Sequence, residues 1–168
     1  VRSTVHHDWV LTDGRRVPTA LLRHGDTIQF NPPSRAITNP DDYDRGVAHG
    51  LVYGDGTRTN YGGYVLYQYG DHDDIRKVLA KFNLTQPPSV PNTLRLGIPA
   101  SVAWCDLKAL PAVECSPSYI LGFIRGWFAA DGTVSKAGQA SICVGPDEEA
   151  WLVRYGASLG YFFAGSSD

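Results

Sequence analysis

Gly46-Val-Ala-His-Gly50-Leu-Val-Tyr-Gly54-Asp55-Gly56-Thr57 recurs, 76 positions on, as Gly122-Phe-Ile-Arg-Gly126-Trp-Phe-Ala-Ala130-Asp131-Gly132-Thr133. Each stretch carries small residues at i, i+4 and i+8: Gly46, Gly50 and Gly54 in the first, Gly122, Gly126 and Ala130 in the second. That spacing lays a smooth stripe along one face of a helix. Two such helices can pack backbone to backbone through Gly50, Gly54, Gly126 and Ala130. Each ends in Asp-Gly-Thr, so close packing predicts Asp55 beside Asp131.

Such a placement is costly. An Asp in the last turn of a helix meets the negative end of the dipole. Two Asp residues brought together also repel each other. A divalent cation removes both penalties, and carboxylate oxygens with waters are the ligands Mg2+ prefers. Asp-Gly is a common turn dipeptide and Gly a common helix terminator. Two copies in gap-free register favour a paired metal site over that plainer reading.

The two segments resemble the LAGLIDADG motifs of homing endonucleases. Aligned to that pattern, the first runs from Ala48 to Gly56 and the second from Ile124 to Gly132. The family's metal-binding catalytic acid falls on Asp55 and Asp131. Its earlier, less critical Asp is replaced by Tyr53 and Ala129. The resemblance implies site-specific, metal-dependent hydrolysis of both strands of DNA, with Mg2+ or Mn2+ as cofactor.

The repeat extends beyond the motifs. A hairpin follows each Asp-Gly-Thr, turning at Gly62-Gly63 and at Lys136-Ala137-Gly138. A second helix follows, over 72–83 capped by Asp71 and over 148–159 capped by Asp147. This is a duplicated αββα unit with pseudo-twofold symmetry. The expected fold is α+β, with repeats 41–116 and 117–168, the second truncated. Asp41 or Asp42 is expected to cap the first motif helix, and Ser116 the second with Pro117 at its first position.

In the resembled family the hairpin strands lie over DNA, and a β-ribbon can read bases in the major groove. Side chains alternate along a strand. Arg58, Asn60 and Gln68 form one candidate DNA-binding set, and Ser135, Lys136, Gln139 and Ser141 the other. Solvation of an outward face explains polar residues there equally well. Tyr61, Tyr64, Tyr67 and Tyr69 read as core or sheet-face residues.

Residues 1–30 predict a small all-β unit: a strand at Trp9-Val10-Leu11, a turn at Asp13-Gly14, a return over Arg15 to Thr19, a helical turn over Ala20 to Gly25, and a strand from Thr27 to Phe30. The stretch resembles block B of the Hint domain of inteins, with Thr4 and His7 at its Thr-x-x-His positions. Residues 31–40, with three prolines, predict a linker to an endonuclease domain at 41–168. A Cys or Ser at position 1 and a terminal His-Asn pair are both absent, so this chain alone is not expected to splice.

Between the repeats, Ile98-Pro99 resembles intein block D, which carries a Lys two residues before the Ile. Leu96 stands there, with Arg95 beside it as a candidate catalytic cation. Arg stabilises charge but does not serve as a base.

Bulk properties set limits. A chain of 168 residues, 43% apolar, suits one domain with a real core, or one and a half small ones. No run is long enough to cross a membrane and no secretory signal is present. Cys105, Cys115 and Cys143 form no CxxC and read as reduced, buried thiols in a cytoplasmic protein. No Met occurs, even at position 1, which predicts a piece of something larger. A bacterial or phage origin, a host protein carrying the intein, and a monomer with internal symmetry follow from the resemblance. The net charge of −2 argues against nucleic acid unless a local basic strip is present. The rival reading is a DNA-binding remnant or structural insert in a phage or replication protein that kept the fold and lost cutting.

Overall fold

The computed structural model describes residues 8–29, 37–69, 77–82, 93–112 and 114–161. The chain is α+β and divides into two compact units, Val1–Pro33 and Ser34–Asp168.

In the first unit, β1 (Asp8–Val10) pairs antiparallel with β2 (Arg16–Pro18). Gly14 turns the hairpin in the left-handed region at φ 85°. Asp13 fixes the same turn, accepting from the Arg15 backbone N–H at 3.0 Å. The helical turn expected over Ala20 to Gly25 is only a 3-10 turn at Thr19–Leu21. The strand expected from Thr27 reduces to a single bridge between Leu11 and Ile28. Thr4, His7 and Phe30 lie outside the described residues, as do 31–36 of the expected linker.

The second unit is built on α1 (Pro40–Asp55) and α2 (Pro117–Asp131). Both begin with Pro at the first helical position, where its missing N–H costs nothing. Ser116 caps α2 as expected, accepting from Tyr119 N–H at 3.2 Å. The cap of α1 is Asn39, whose side chain accepts from Asp42 N–H at 3.2 Å. Asp41 and Asp42 instead lie inside the first turn, where their charge favours the dipole. The two N-termini are stitched together. Ser116 Oγ donates to Asp42 Oδ2 at 2.7 Å, and buried Ser118 accepts from Thr38 and Asn39 backbone N–H groups at 3.1 Å each.

The helices touch through their small-residue stripes. A Cβ on Gly46 would collide with the carbonyl oxygen of Tyr119, and one on Gly50 with that of Phe123. With the helices exchanged, Gly122 meets the Tyr43 carbonyl and Gly126 that of Val47. These are the same contacts at the 76-residue offset. Gly54 continues the seam against Ala130 and the Asp131 carboxylate.

The hairpins repeat bond for bond. Gly56 N–H donates to the Val52 carbonyl, and its counterpart Gly132 to that of Phe128. β3 (Thr57–Arg58) pairs with β4 (Tyr64–Tyr69), and β6 (Gly132–Val134) with β7 (Ala140–Ile142), in matching registers. Thr59 N–H reaches the Gly63 carbonyl and Ser135 N–H the Gln139 carbonyl, each at 2.8 Å. Gly62 and Gly138 take φ values of 77° and 80°. The copies differ beyond the hairpins. β4 also pairs with β5 (Thr93–Ile98), completing a three-stranded sheet.

Each side of the seam has its own core. Ala48, Leu51 and Val52 of α1 pack with Tyr64, Leu66, Leu79, Ile98 and Leu107. Phe123, Ile124 and Trp127 of α2 pack with Trp151, Leu152 and Leu159 on and just after α3 (Pro146–Ser158). Asp147 lies in the first turn of α3 rather than capping it, while Glu148 reaches back to accept from Gly145 N–H at 2.7 Å. In the first copy, 77–79 is helical and 80–82 a 3-10 turn; Asp71 lies outside the described residues.

The three cysteines are free, but Cys105 and Cys143 are exposed and Cys115 half-buried, so the expectation of buried thiols is corrected. Cys143 follows the open hairpin β6–β7, where no core covers it.

Candidate functional site

The C-terminal ends of α1 and α2 meet where the seam ends. A Cβ placed on Gly54 would lie 2.9 Å from Asp131 Oδ2, so the Asp131 carboxylate sits against the last turn of α1. The adjoining residue is Asp55, the last of that helix. Both carboxylates are exposed. Trp127, one turn before Asp131, donates its indole N–H to Asp131 Oδ2 at 3.1 Å.

A cation completes this corner. The Lys108 ammonium donates to the carbonyls of Val52 at 3.2 Å and of Tyr53, with a longer approach to Gly54 at 3.4 Å. The Val52 carbonyl also accepts from Gly56 N–H, and the carbonyls that follow it lie in the last turn, where intrahelical donors run out. Partial burial lowers the Lys108 pKa, while the charges of Asp131 and Asp55 act to raise it. Both carboxylates therefore lie within electrostatic reach of one ammonium.

Lys108 is held there by its neighbours. Asp106 Oδ1 accepts from Lys108 N–H at 3.0 Å, from Tyr64 Oη at 3.0 Å and from Arg58 at 2.5 Å. Chiefly through Arg58, the Asp106 pKa falls to about 2. On the other side, His49 Nε2 bonds the Ala109 carbonyl at 2.9 Å. A carbonyl only accepts, so Nε2 carries the proton and Nδ1 accepts from Tyr119 Oη at 2.8 Å. Trp104 Nε1 donates to the same Tyr119 oxygen at 2.8 Å. His49 is 1% exposed, and burial lowers its pKa to about 4. A neutral histidine thus clamps the loop after β5 onto α1.

Tyr53 links the corner to the second copy. Its hydroxyl donates to Glu148 Oε1 at 2.6 Å. Its ring meets Phe123 and Trp127 edge-on, with the Lys108 ammonium 5.7 Å from its centroid. Burial and the Glu148 bond raise its pKa, so it stays a neutral phenol.

The residues singled out from sequence fall into groups. Gly50, Gly54, Gly126 and Ala130 lie on the seam. Arg58, Asn60, Ser135, Lys136, Gln139 and Ser141 are all exposed on or beside the hairpins. Arg58 is engaged by Asp106, Ser135 Oγ accepts from Gln139 N–H at 3.1 Å, and Ser141 shares a hydrogen bond with Thr133 at 3.0 Å. The side chains of Gln68 and Arg95 lie outside the described residues; their backbones pair at adjacent rungs of β4 and β5, Gln68 with Leu94 and Arg95 with Tyr67. Tyr64 is buried as expected, but Tyr61 is 93% exposed at the hairpin tip and belongs to no core.

Lys108 was missed by the sequence reading, although a signal was present. Lys108-Ala109-Leu110-Pro111 has the Lys-x-aliphatic-Pro spacing sought at 96–99, with Leu for Ile.

The donor set suits a small hard cation. Among the described residues no cluster of three or more His, Cys, Asp and Glu side chains forms a ligand cage. Mg2+ needs none, since it keeps several waters and takes one or two carboxylates with substrate phosphates. Asp131, oriented by an indole N–H, and Asp55, at the neighbouring helix end, offer such a pair. Among the described residues no helix is long and apolar enough to cross a membrane. Compared with known protein families and with curated proteins, the chain matches no family and shows no significant match to a curated protein.

Proposed function

We propose that this chain is a LAGLIDADG-type homing endonuclease that hydrolyses both strands of a double-stranded DNA site, derived from an intein whose splicing unit left residues 1–30. The observation that carries this reading is the meeting of two duplicated glycine-faced helices at their carboxylate-bearing ends, with the Lys108 ammonium on the last carbonyls of α1. Lys108 offsets part of the repulsion and dipole penalty at that corner, and a bound divalent cation would offset more.

In this reading Asp55 and Asp131 hold Mg2+ or Mn2+, one carboxylate serving each strand. The bound cation would activate water and stabilise the leaving oxygen. Lys108 adds fixed positive charge where negative charge develops on the phosphate. The hairpins β3–β4 and β6–β7 would carry the DNA contacts, with Arg58, Asn60, Lys136 and Gln139 exposed for the purpose. Arg58 would exchange Asp106 for a phosphate; the pair is half-exposed, so separating it costs little.

A second reading keeps the fold and loses the cutting, as a DNA-binding remnant or a structural insert. The net charge of −2 and the engagement of Arg58 by Asp106 favour it.

The test is strand cleavage on sites selected from randomised duplex DNA. Asp55→Asn and Asp131→Asn are each expected to abolish double-strand cutting in Mg2+ while DNA binding survives. Wild-type protein that binds a selected site and never cuts it would favour the second reading. An Asp55→Asn chain that cuts both strands normally would place the chemistry elsewhere.

A further inference from the structure

We propose that Arg58, Tyr64 and the Lys108 backbone N–H form a phosphate site, which the Asp106 carboxylate fills in the free chain and a DNA phosphate takes over on binding. That the phosphate belongs to DNA rests on the reading above; the anion site itself does not.

Three donors from three places meet on one oxygen. Asp106 Oδ1 accepts from Arg58 Nη2 at 2.5 Å, from Tyr64 Oη at 3.0 Å and from Lys108 N–H at 3.0 Å. Arg58 lies on β3, Tyr64 on β4 and Lys108 in the loop after β5. Arg58 and Tyr64 are cross-strand partners, so their side chains share one face of the hairpin. Tyr64 is 6% exposed and belongs to the core packed on α1, which fixes its hydroxyl. The Arg58 guanidinium lies 5.9 Å from the centre of that ring. The hairpin and its core thus set two of the three donors. A phosphate oxygen accepts from such donors as a carboxylate oxygen does, and a guanidinium takes either.

The fold does not need this cluster to close a hairpin. At the 76-residue offset, Val134 stands for Arg58 and Ala140 for Tyr64. β6 and β7 pair in the same register with neither donor. The cluster is therefore an addition to the first hairpin. It is also open, with the Arg58 and Asp106 side chains 54% and 49% exposed. An anion can reach it from solvent, and the ion pair that it must part is a weak one. Asp106 then restrains DNA binding twice, by holding Arg58 and by its own charge.

The test measures binding rather than cutting. Asp106→Asn keeps an oxygen for Tyr64 and Lys108 N–H to donate to, and removes the charge that holds Arg58. Duplex DNA of random sequence is titrated at low salt with wild type, Asp106→Asn, Arg58→Ala and the double variant. Asp106→Asn is expected to tighten binding about fivefold, the upper value of an exposed ion pair. In the Arg58→Ala background the same substitution is expected to tighten it less than about twofold, because its partner is gone. Equal tightening in both backgrounds would be a general effect of charge and overturns the proposal. Binding that Asp106→Asn leaves unchanged overturns it too.

A second measurement needs no DNA. The Arg58 side-chain 15N resonance, identified as the one missing from Arg58→Ala, is followed as inorganic phosphate is added at constant ionic strength. It is expected to move in the wild type, and to reach its midpoint at about fivefold lower phosphate in Asp106→Asn. An Arg58 resonance that moves in neither protein overturns the anion site. Phosphate binding as expected, with no duplex bound by any variant, would remove the DNA reading and leave the anion site supported.

Discussion

Gly50 of α1 lies against the backbone carbonyl of Phe123 in α2, with no space for a Cβ between them. The same relation joins Gly126 to Val47 with the helices exchanged. The obstruction is backbone, so no rotamer change relieves it. At an exposed helix position Gly→Ala gains up to about 1 kcal/mol of propensity. Here the sign is expected to reverse. Gly50→Ala and Gly126→Ala should each destabilise the protein by about 1–3 kcal/mol, the usual cost of overpacking. Urea unfolding measures it, and a gain in stability in either variant would mean the seam is looser than described.

This seam was legible in the sequence because its signal is local and periodic. Glycine at every fourth position has one economical use in a helix, a close neighbour. The hairpins were legible because Gly62 and Gly138 stand at equivalent left-handed positions. Lys108 was not legible in the same way. It sits in a loop without periodicity, and its place beside the helix ends is made by long-range bonds such as His49 to Ala109. The cap of α1 fell at Asn39 rather than Asp41 or Asp42 because Pro40 at the first helical position sets the start. Tyr61 departs from its expected place because it stands in the turn after β3, where the chain reverses and the ring meets solvent.

Lys108 yields a second prediction. Its ammonium caps α1 and lies within electrostatic reach of both carboxylates. Lys108→Met is expected to cost about 0.3–1 kcal/mol in stability, the value of a cation at a helix C-terminus. Its effect on cutting is expected to be larger, about 10²–10³-fold, as for loss of one group that stabilises developing charge. A cleavage assay beside urea unfolding separates the two. Wild-type cutting by Lys108→Met would make the lysine a helix cap and nothing more.

His49 sets an acid limit. Its pKa is about 4 in the folded chain against an ordinary 6.5, because burial disfavours the charged ring. The unfolded chain therefore binds the proton more readily. The stability contributed by neutral His49 is complete above pH 6.5 and is lost as pH falls from 6.5 towards 4, by up to about 3 kcal/mol. Asp106 acts lower. Its folded pKa is about 2 against 3.8, so its contribution is lost only below the histidine window. Unfolding free energy measured from pH 7 to 4 is expected to fall in the wild type and to stay nearly flat in His49→Gln over the upper part of that range. Parallel curves for the two proteins would remove His49 as the source.

The last prediction concerns the division at residue 33. Every described residue of the two apolar cores comes from the second unit, and so do α1, α2, α3, the hairpins β3–β4 and β6–β7, and Lys108. Buried Leu11 belongs to the first unit, which is closed by its own hairpin and by the bridge from Leu11 to Ile28. A unit with a complete core of its own can fold alone. A chain beginning at Ser34 is therefore expected to unfold cooperatively in urea and to keep the Mg2+-dependent cutting expected of the whole chain. His7→Ala in the full chain is expected to leave that cutting unchanged, because the proposed chemistry draws only on the second unit. An insoluble or non-cooperative fragment would show that residues 1–33 complete the fold. Cutting lost in the fragment, with cooperative unfolding retained, would show that the first unit takes part in DNA binding.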